Sequence, residues 1–106
     1  MSTQSHYSVK YSTRAFYDLQ DIEEYITNAF KNPEAALEQI YRITRAVRNL
    51  ENFPKMHAVR KTDLKNREIR AFPVNNYNIF YFIDEAENIV NISRVLYGRR
   101  NIDSLP

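Results

Sequence analysis

Ile89-Val90-Asn91-Ile92-Ser93-Arg94-Val95-Leu96-Tyr97-Gly98-Arg99-Arg100 begins as an alternating apolar strand and ends as a cationic, hydroxyl-bearing rim beside the only glycine in the chain. Strict alternation puts Val90 and Ile92 on one face and Ile89, Val95 and Tyr97 on the other. Working backward, residues 84–88 read as a hairpin turn. Tyr77-Asn78-Ile79-Phe80-Tyr81-Phe82-Ile83 is apolar on both faces, which marks a central strand covered on at least one side. Arg67 to Pro73 forms the strand before it, where the proline points to an end or an edge. Together these segments predict a three-stranded antiparallel meander. Residues 55–66 are polar and basic without periodicity, and read as a loop with room for one short strand.

The first half of the chain is helical. Residues 1–6 are polar and expected to lie outside the packed fold. Tyr7, Val9 and Tyr11 alternate as one face of an N-terminal strand, and Ser12 is placed to cap the helix that follows. Ala15, Leu19, Ile22, Ile26 and Ala29 then recur at intervals of four and three, predicting a helix over residues 13–31. Its Asp18, Asp21, Glu23 and Glu24 read as a solvated acidic face. Asn32-Pro33-Glu34 restarts the chain with a cap, a proline at the first helical position and an acid at the positive end of the dipole. The second helix is predicted to run to about Asn52, burying Leu37, Ile40, Ile43 or Thr44, Val47 and Leu50. So short a link makes the two helices an antiparallel hairpin. The expected architecture is α+β: an N-terminal strand, an antiparallel two-helix hairpin, then the meander, with the helices packed on one face of a small, twisted, mainly antiparallel sheet. The other face is left partly open.

Composition narrows the chemistry. The 106 residues suit one domain spanning 1–106 with one core. With no cysteine there is no disulfide or thiolate metal site. No apolar run approaches the ~20 residues that span a bilayer, and no signal-peptide pattern is present, so the expected location is cytoplasmic with no membrane contact. One glycine excludes a glycine-rich phosphate loop, and the two histidines, His6 and His57, lack metal-ligand spacing and read as solvated, the alternative for His57 being a proton carrier whose pKa its basic loop lowers. No metal and no cofactor are expected. The net charge of +2 is too small to announce a nucleic-acid binder. Its distribution is more telling. Lys61, Lys65, Arg70, Arg94, Arg99 and Arg100 concentrate cations around Tyr97 in the second half. Arginine forks grip phosphate or carboxylate, and a tyrosine beside them can stack on a base or carry a proton. The same residues equally suit a binding rim or a soluble surface. On the second helix, Arg42, Arg45 and Arg48 form a ladder that is either an ordinary exposed face or a contact for an acidic partner.

Four phrases in register carry a family likeness: Asn32-Pro33-Glu34-Ala35-Ala36, Leu50-Glu51-Asn52-Phe53-Pro54, Ile69-Arg70-Ala71-Phe72-Pro73-Val74 with Tyr77-Asn78-Ile79-Phe80-Tyr81, and Arg94-Val95-Leu96-Tyr97-Gly98-Arg99-Arg100-Asn101. Over nearly its whole length the chain resembles toxins of the RelE/ParE superfamily, with the ending closer to the ParE branch. The resemblance implies the toxin half of a type II toxin–antitoxin pair, of the plasmid-stabilisation or stress-response kind. A cognate antitoxin would neutralise it, and operator DNA would be reached only through that antitoxin. It implies growth inhibition with DNA gyrase as target, as in ParE-like members. The alternatives are a RelE-like, metal-independent cleavage of mRNA on the ribosome and a non-toxic protein-binding adaptor. Target binding would fall to Lys61, Lys65, Arg70, Arg94, Tyr97, Arg99 and Arg100, and antitoxin binding to Arg42, Arg45 and Arg48. In a ribonuclease, Arg70, Arg94 and Tyr97 would be the catalytic group. Tyr97 stands where many relatives have a histidine. A phenol titrates near ~10, which favours gripping a partner over general-base work at neutral pH.

Overall fold

The computed structural model describes residues 6–98. Strand β1 (Ser8–Tyr11) runs into helix α1 (Thr13–Phe30), and helix α2 (Pro33–Arg48) returns beside it. A short 3-10 turn (Asn49–Glu51) follows, then β2 (Val59–Thr62), β3 (Glu68–Val74), β4 (Tyr77–Asp84) and β5 (Ile89–Tyr97). Both predicted caps are in place: Ser12 Oγ accepts the Ala15 N–H at 3.0 Å, and Asn32 Oδ1 accepts that of Ala35 at 3.1 Å. The α2 helix stops at Arg48, short of the expected Asn52, because its last turn tightens into the 3-10 form while still burying Leu50. Asparagines serve where glycine is commonly used. Asn66, Asn75 and Asn88 take positive φ in the three links that join β2 to β5, a conformation their short polar side chains tolerate better than most.

The sheet order is β1-β5-β4-β3-β2, with β4 in the centre, as its two apolar faces require. The antiparallel meander β3-β4-β5 is present and the helices pack on one face, so the α+β expectation holds. The sheet is nevertheless mixed, since β1 pairs with β5 in parallel from Ser8 opposite Ile89 to Tyr11 opposite Ile92. The short strand inside residues 55–66 also exists, with Lys61 opposite Ile69. Four residues broken by an irregularity are too few to show alternation in sequence.

A bulge corrects the reading of β5. Phe80 opposes Arg94 while Tyr81 opposes Ile92, leaving Ser93 as an extra residue whose hydroxyl donates to the Phe80 carbonyl. Parity shifts by one, so Val95 joins Val90 and Ile92 in the core instead of facing away. That core also holds Ala15, Ile22, Ile26, Ala36, Ile43, Val47, Leu50, Phe72, Ile79 and Tyr81. Two predicted core positions lie outside it: Ala29 is exposed and Leu37 is 60% exposed, because Ala36 is the residue of that turn facing the sheet. On the opposite face Ile69, Ala71 and Phe80 form a second cluster with Phe82 and Leu96.

Because β1 ends at Tyr11 while β5 continues to Tyr97, the second half of β5 needs another neighbour. The start of α1 supplies it. The Ser12 N–H donates to the Ile92 carbonyl, its hydroxyl to the Ser93 carbonyl, and the Val95 N–H to Asp18 Oδ2 at 2.9 Å. Asp18 also receives Arg94 through both Nε and Nη2, at 2.9 and 3.0 Å. The expectation that Asp18 belongs to a solvated acidic face is therefore corrected: its side chain is 12% exposed and completes the sheet edge.

The β2–β3 turn is organised by Asp63, whose carboxylate accepts the backbone N–H groups of Lys65 and Arg67 and pairs with the Arg67 guanidinium. The Arg67 N–H, foremost among these partners, holds the carboxyl below its ordinary value. A lowered folded-state pKa stabilises the protein above the unfolded pKa of about 3.9, and the contribution is lost as pH falls through the folded value. Thermal midpoints of wild type and Asp63→Asn should thus differ at pH 7 and converge as the pH falls through the folded-state value of Asp63. A gap unchanged across that range would show that the charge plays no part in the turn.

Candidate functional site: a cationic groove on the open sheet face

Ile69 and Ala71 share one face of β3, Arg67 just before the strand continues that alternation, and Lys61 stands opposite Ile69 on β2. This alternation turns Arg67 and Lys61 toward the sheet face away from the helices. There they meet Arg94 from the bulged strand, Lys65 from the β2–β3 turn and Arg14 from the first turn of α1 around a groove of about 480 Å³. Ile69 and Phe82 form its apolar floor, with the Arg67 guanidinium 4.2 Å above the Phe82 ring, and the side chain of Leu64, 96% exposed, stands at the rim. Among the described residues five cations face one lining carboxylate, Asp63, which Arg67 already engages. Asp18 engages Arg94 from behind. The groove is an electropositive slot with an apolar base, suited to an acidic or phosphate-bearing surface.

Of the predicted target-binding residues, the fold brings together Lys61, Lys65 and Arg94. Arg14 and Arg67 are additions that sequence reasoning missed. Period-two counting from Ile69 would have found Arg67; Arg14 carries no such signal, because it depends on how α1 crosses the edge of β5.

Arg70 is placed elsewhere. It shares the face of Phe72 and Tyr81, under the loop that follows the 3-10 turn, and its Nη1 donates to the His57 carbonyl at 2.7 Å. The Tyr81 hydroxyl donates to the Pro54 carbonyl at 2.7 Å, and the His57 ring stacks on Phe72 at 4.1 Å with planes 8° apart. His57 is thus no solvated loop residue; burial lowers its pKa below the ordinary imidazole value. Arg70, 14% exposed at its side chain, pins this loop to the sheet. Arg70→Ala should lower stability by about 2 kcal/mol through a lost charge-assisted bond to a carbonyl, measurable by denaturant unfolding. A change within about 0.5 kcal/mol would release Arg70 for a role at the surface.

Tyr97 is separate again. By the shifted parity it follows Val95 to the helix side, 59% exposed, with its ring 5.5 Å from that of Tyr77. Both line a second cavity of about 490 Å³ with Tyr25, Asp21, Asp18 and Arg94. Among the described residues Arg94 is the one common to both cavities. The sheet therefore divides the predicted trio of Arg70, Arg94 and Tyr97 among a loop clamp, the groove edge and the opposite cavity. Arg99 and Arg100 lie outside the described residues. Arg42, Arg45 and Arg48 are exposed along α2, with Arg42 paired to Glu38 at 2.8 Å.

No three described His, Cys, Asp or Glu residues are grouped to hold a metal ion, and no described helix is long and apolar enough to cross a membrane. The chain matches the family described as ParE toxin of type II toxin–antitoxin system, parDE, over residues 9–102. No curated protein matches its sequence. Among solved structures, the chromosomal ParDE system from P. aeruginosa superposes with a TM-score of 0.72 at 19% identity, covering 89% of this chain and 98% of that one. The RelBE2 toxin–antitoxin complex from Mycobacterium tuberculosis gives 0.58 at 21%, covering 87% and 98%. The archaeal RelE–RelB complex from Pyrococcus horikoshii OT3 gives 0.61 at 16%, covering 90% and 98%. At such identities the likeness is one of fold.

Proposed function

The chain belongs to the ParE toxin family of type II toxin–antitoxin systems, and from that premise we propose that it arrests growth by gripping DNA gyrase through the cationic groove on its open sheet face. The observation that carries this reading is the groove's composition: cations on an apolar floor, with no imidazole or phenol among its lining residues. Cleaving a phosphodiester needs a base for the nucleophile and an acid for the leaving group as well as cations. Here the imidazole and phenol carriers lie elsewhere, and the one described lining carboxylate, Asp63, is engaged by Arg67. His57 is stacked under its loop, and Tyr97 is across the sheet. Burial raises the pKa of Tyr11, to about 12, and those of Tyr77 and Tyr81, whereas a hydrogen bond to Glu85 raises that of Tyr7. A raised phenol is a poorer base at neutral pH.

A cognate antitoxin completes the proposal. The ParDE and RelBE assemblies that share this fold are toxin–antitoxin systems, and the ladder of Arg42, Arg45 and Arg48 offers exposed cations to an acidic antitoxin segment. Inducing the gene alone should stop growth, and co-inducing its neighbouring small reading frame should restore it. The ribonuclease reading has one observation in its favour, the convergence of Lys61, Lys65 and Arg94. It is separated by primer extension on translating ribosomes and by Tyr97→Phe. That variant should arrest growth as fully as wild type, whereas a ten-fold or greater loss would return a chemical role to the phenol.

A further inference from the structure

The sheet face away from the helices is drier than an uncovered face should be. Ile69, Ala71 and Phe80 lie on it at 5%, 7% and 3% exposure, although both described helices pack on the other side. An antiparallel sheet that meets water on its second face turns polar there, and a phenylalanine with sheet neighbours alone keeps one side of its ring wet. The described neighbours of Phe80 do not close that side. Arg94, opposite it on β5, reaches away to Asp18, and the Arg67 guanidinium lies over Phe82 instead. Ala71, opposite it on β3, offers one methyl group, and Leu96 packs from the edge.

We propose that the cover is the chain's own C-terminal segment, residues 99–106, returning across this face so that Ile102 and Leu105 close over Phe80 and Ala71. Direction, reach and chemistry agree. Asn78 shares the face of Phe80, and its side-chain amide donates to the Gly98 carbonyl, which draws the exit of β5 toward that face. Gly98 takes a φ of 71°, the left-handed conformation in which a chain turns readily, and its N–H is tied to the Asn76 carbonyl. Phe80 stands level with Arg94, four residues back along β5 from Gly98, or about 13 Å at strand spacing. Four extended residues beyond Gly98 span the same distance and arrive at Ile102.

The sequence from there, Arg99-Arg100-Asn101-Ile102-Asp103-Ser104-Leu105-Pro106, supplies two aliphatic side chains for the apolar cluster and one acid for the cationic groove beside it. Residues 1–5 are a poorer match: they precede β1 at the Ile89 end of β5, the far end of the sheet, and carry one apolar side chain, Met1. The segment adds a wall to the groove, whose floor of Ile69 and Phe82 lies further along the strands than Leu96, and it brings Arg99 and Arg100 to the Arg94 side of that groove. The inference does not depend on what the toxin binds.

The test is nuclear Overhauser spectroscopy of the full chain with labelled alanine, isoleucine and leucine methyl groups and phenylalanine rings. Cross-peaks should join the methyls of Ile102 or Leu105 to the Ala71 methyl and the Phe80 ring. Ile102→Asp with Leu105→Asp should abolish them and lower the thermal midpoint by roughly 10 °C, while the Ile22 and Ile79 methyls of the helix-side core keep their contacts. Ser104→Asp, in the same segment, should change neither. Absence of these cross-peaks in wild type, or cross-peaks from Phe80 to Met1 in their place, overturns the proposal, and so does a double variant that melts as wild type does. Because growth arrest is not among the readouts, failure of this proposal and failure of the toxin reading are distinguishable.

Discussion

Asp18→Ala is expected to cost about 3 kcal/mol of stability, the largest effect of any single change at the sheet edge. The carboxylate is 12% exposed and the Arg94 side chain 20%, so removing one leaves the other as a poorly solvated charge. It also orphans the Val95 N–H, which the Asp18 oxygen accepts at 2.9 Å on an edge where β1 no longer reaches. In a chain of this size that loss lowers the thermal midpoint by roughly 15 °C. Adding Arg94→Met should recover part of the loss, since the unpaired cation goes and the orphan N–H remains. A loss below about 1 kcal/mol for Asp18→Ala would show that the pair behaves as an ordinary surface salt bridge.

Reversing two groove cations, Arg14→Glu with Lys65→Glu, is expected to abolish growth arrest while leaving the fold intact. Both side chains are exposed, and neither is among the groove residues held by a carboxylate, as Arg67 is by Asp63 and Arg94 by Asp18. Turning two attractions into two repulsions should cost at least about 3 kcal/mol of target affinity, on the order of a hundred-fold. Growth curves with matched expression check the outcome, and an unchanged melt excludes unfolding. Undiminished arrest would remove the groove from the mechanism.

How much of this was legible beforehand differs element by element. The hairpin was readable because Ser12 and Asn32-Pro33 mark its starts and because Ala15, Ile22, Ile26, Ile43 and Val47 repeat at helical spacing. The meander was readable from Tyr77–Ile83, whose two apolar faces could only suit a central strand. The parallel pairing of β1 with β5 was not, since alternation reveals a strand but not its neighbour. The bulge at Ser93 was likewise invisible: one extra residue reversed the faces of Val95 and Tyr97, and with them the site drawn around Tyr97. Arg70 was misplaced for a simpler reason. It stands one residue from Ile69 and so faces the opposite side of β3, which period-two counting already implied. Asp18 was set among its solvated neighbours because its partner is 76 residues away. The groove was largely legible: Lys61, Lys65 and Arg94 stand out by charge and Arg67 by its spacing from Ile69, whereas Arg14 emerges only from topology.

As proposed, the cationic groove grips gyrase and performs no cleavage. Supercoiling of relaxed plasmid by purified gyrase, titrated with the purified chain, tests it most directly. Supercoiling should be lost in proportion to wild type added and preserved with the Arg14→Glu, Lys65→Glu variant, while mRNA on translating ribosomes stays intact. Undisturbed supercoiling together with A-site cleavage of mRNA by the same preparation would contradict the account.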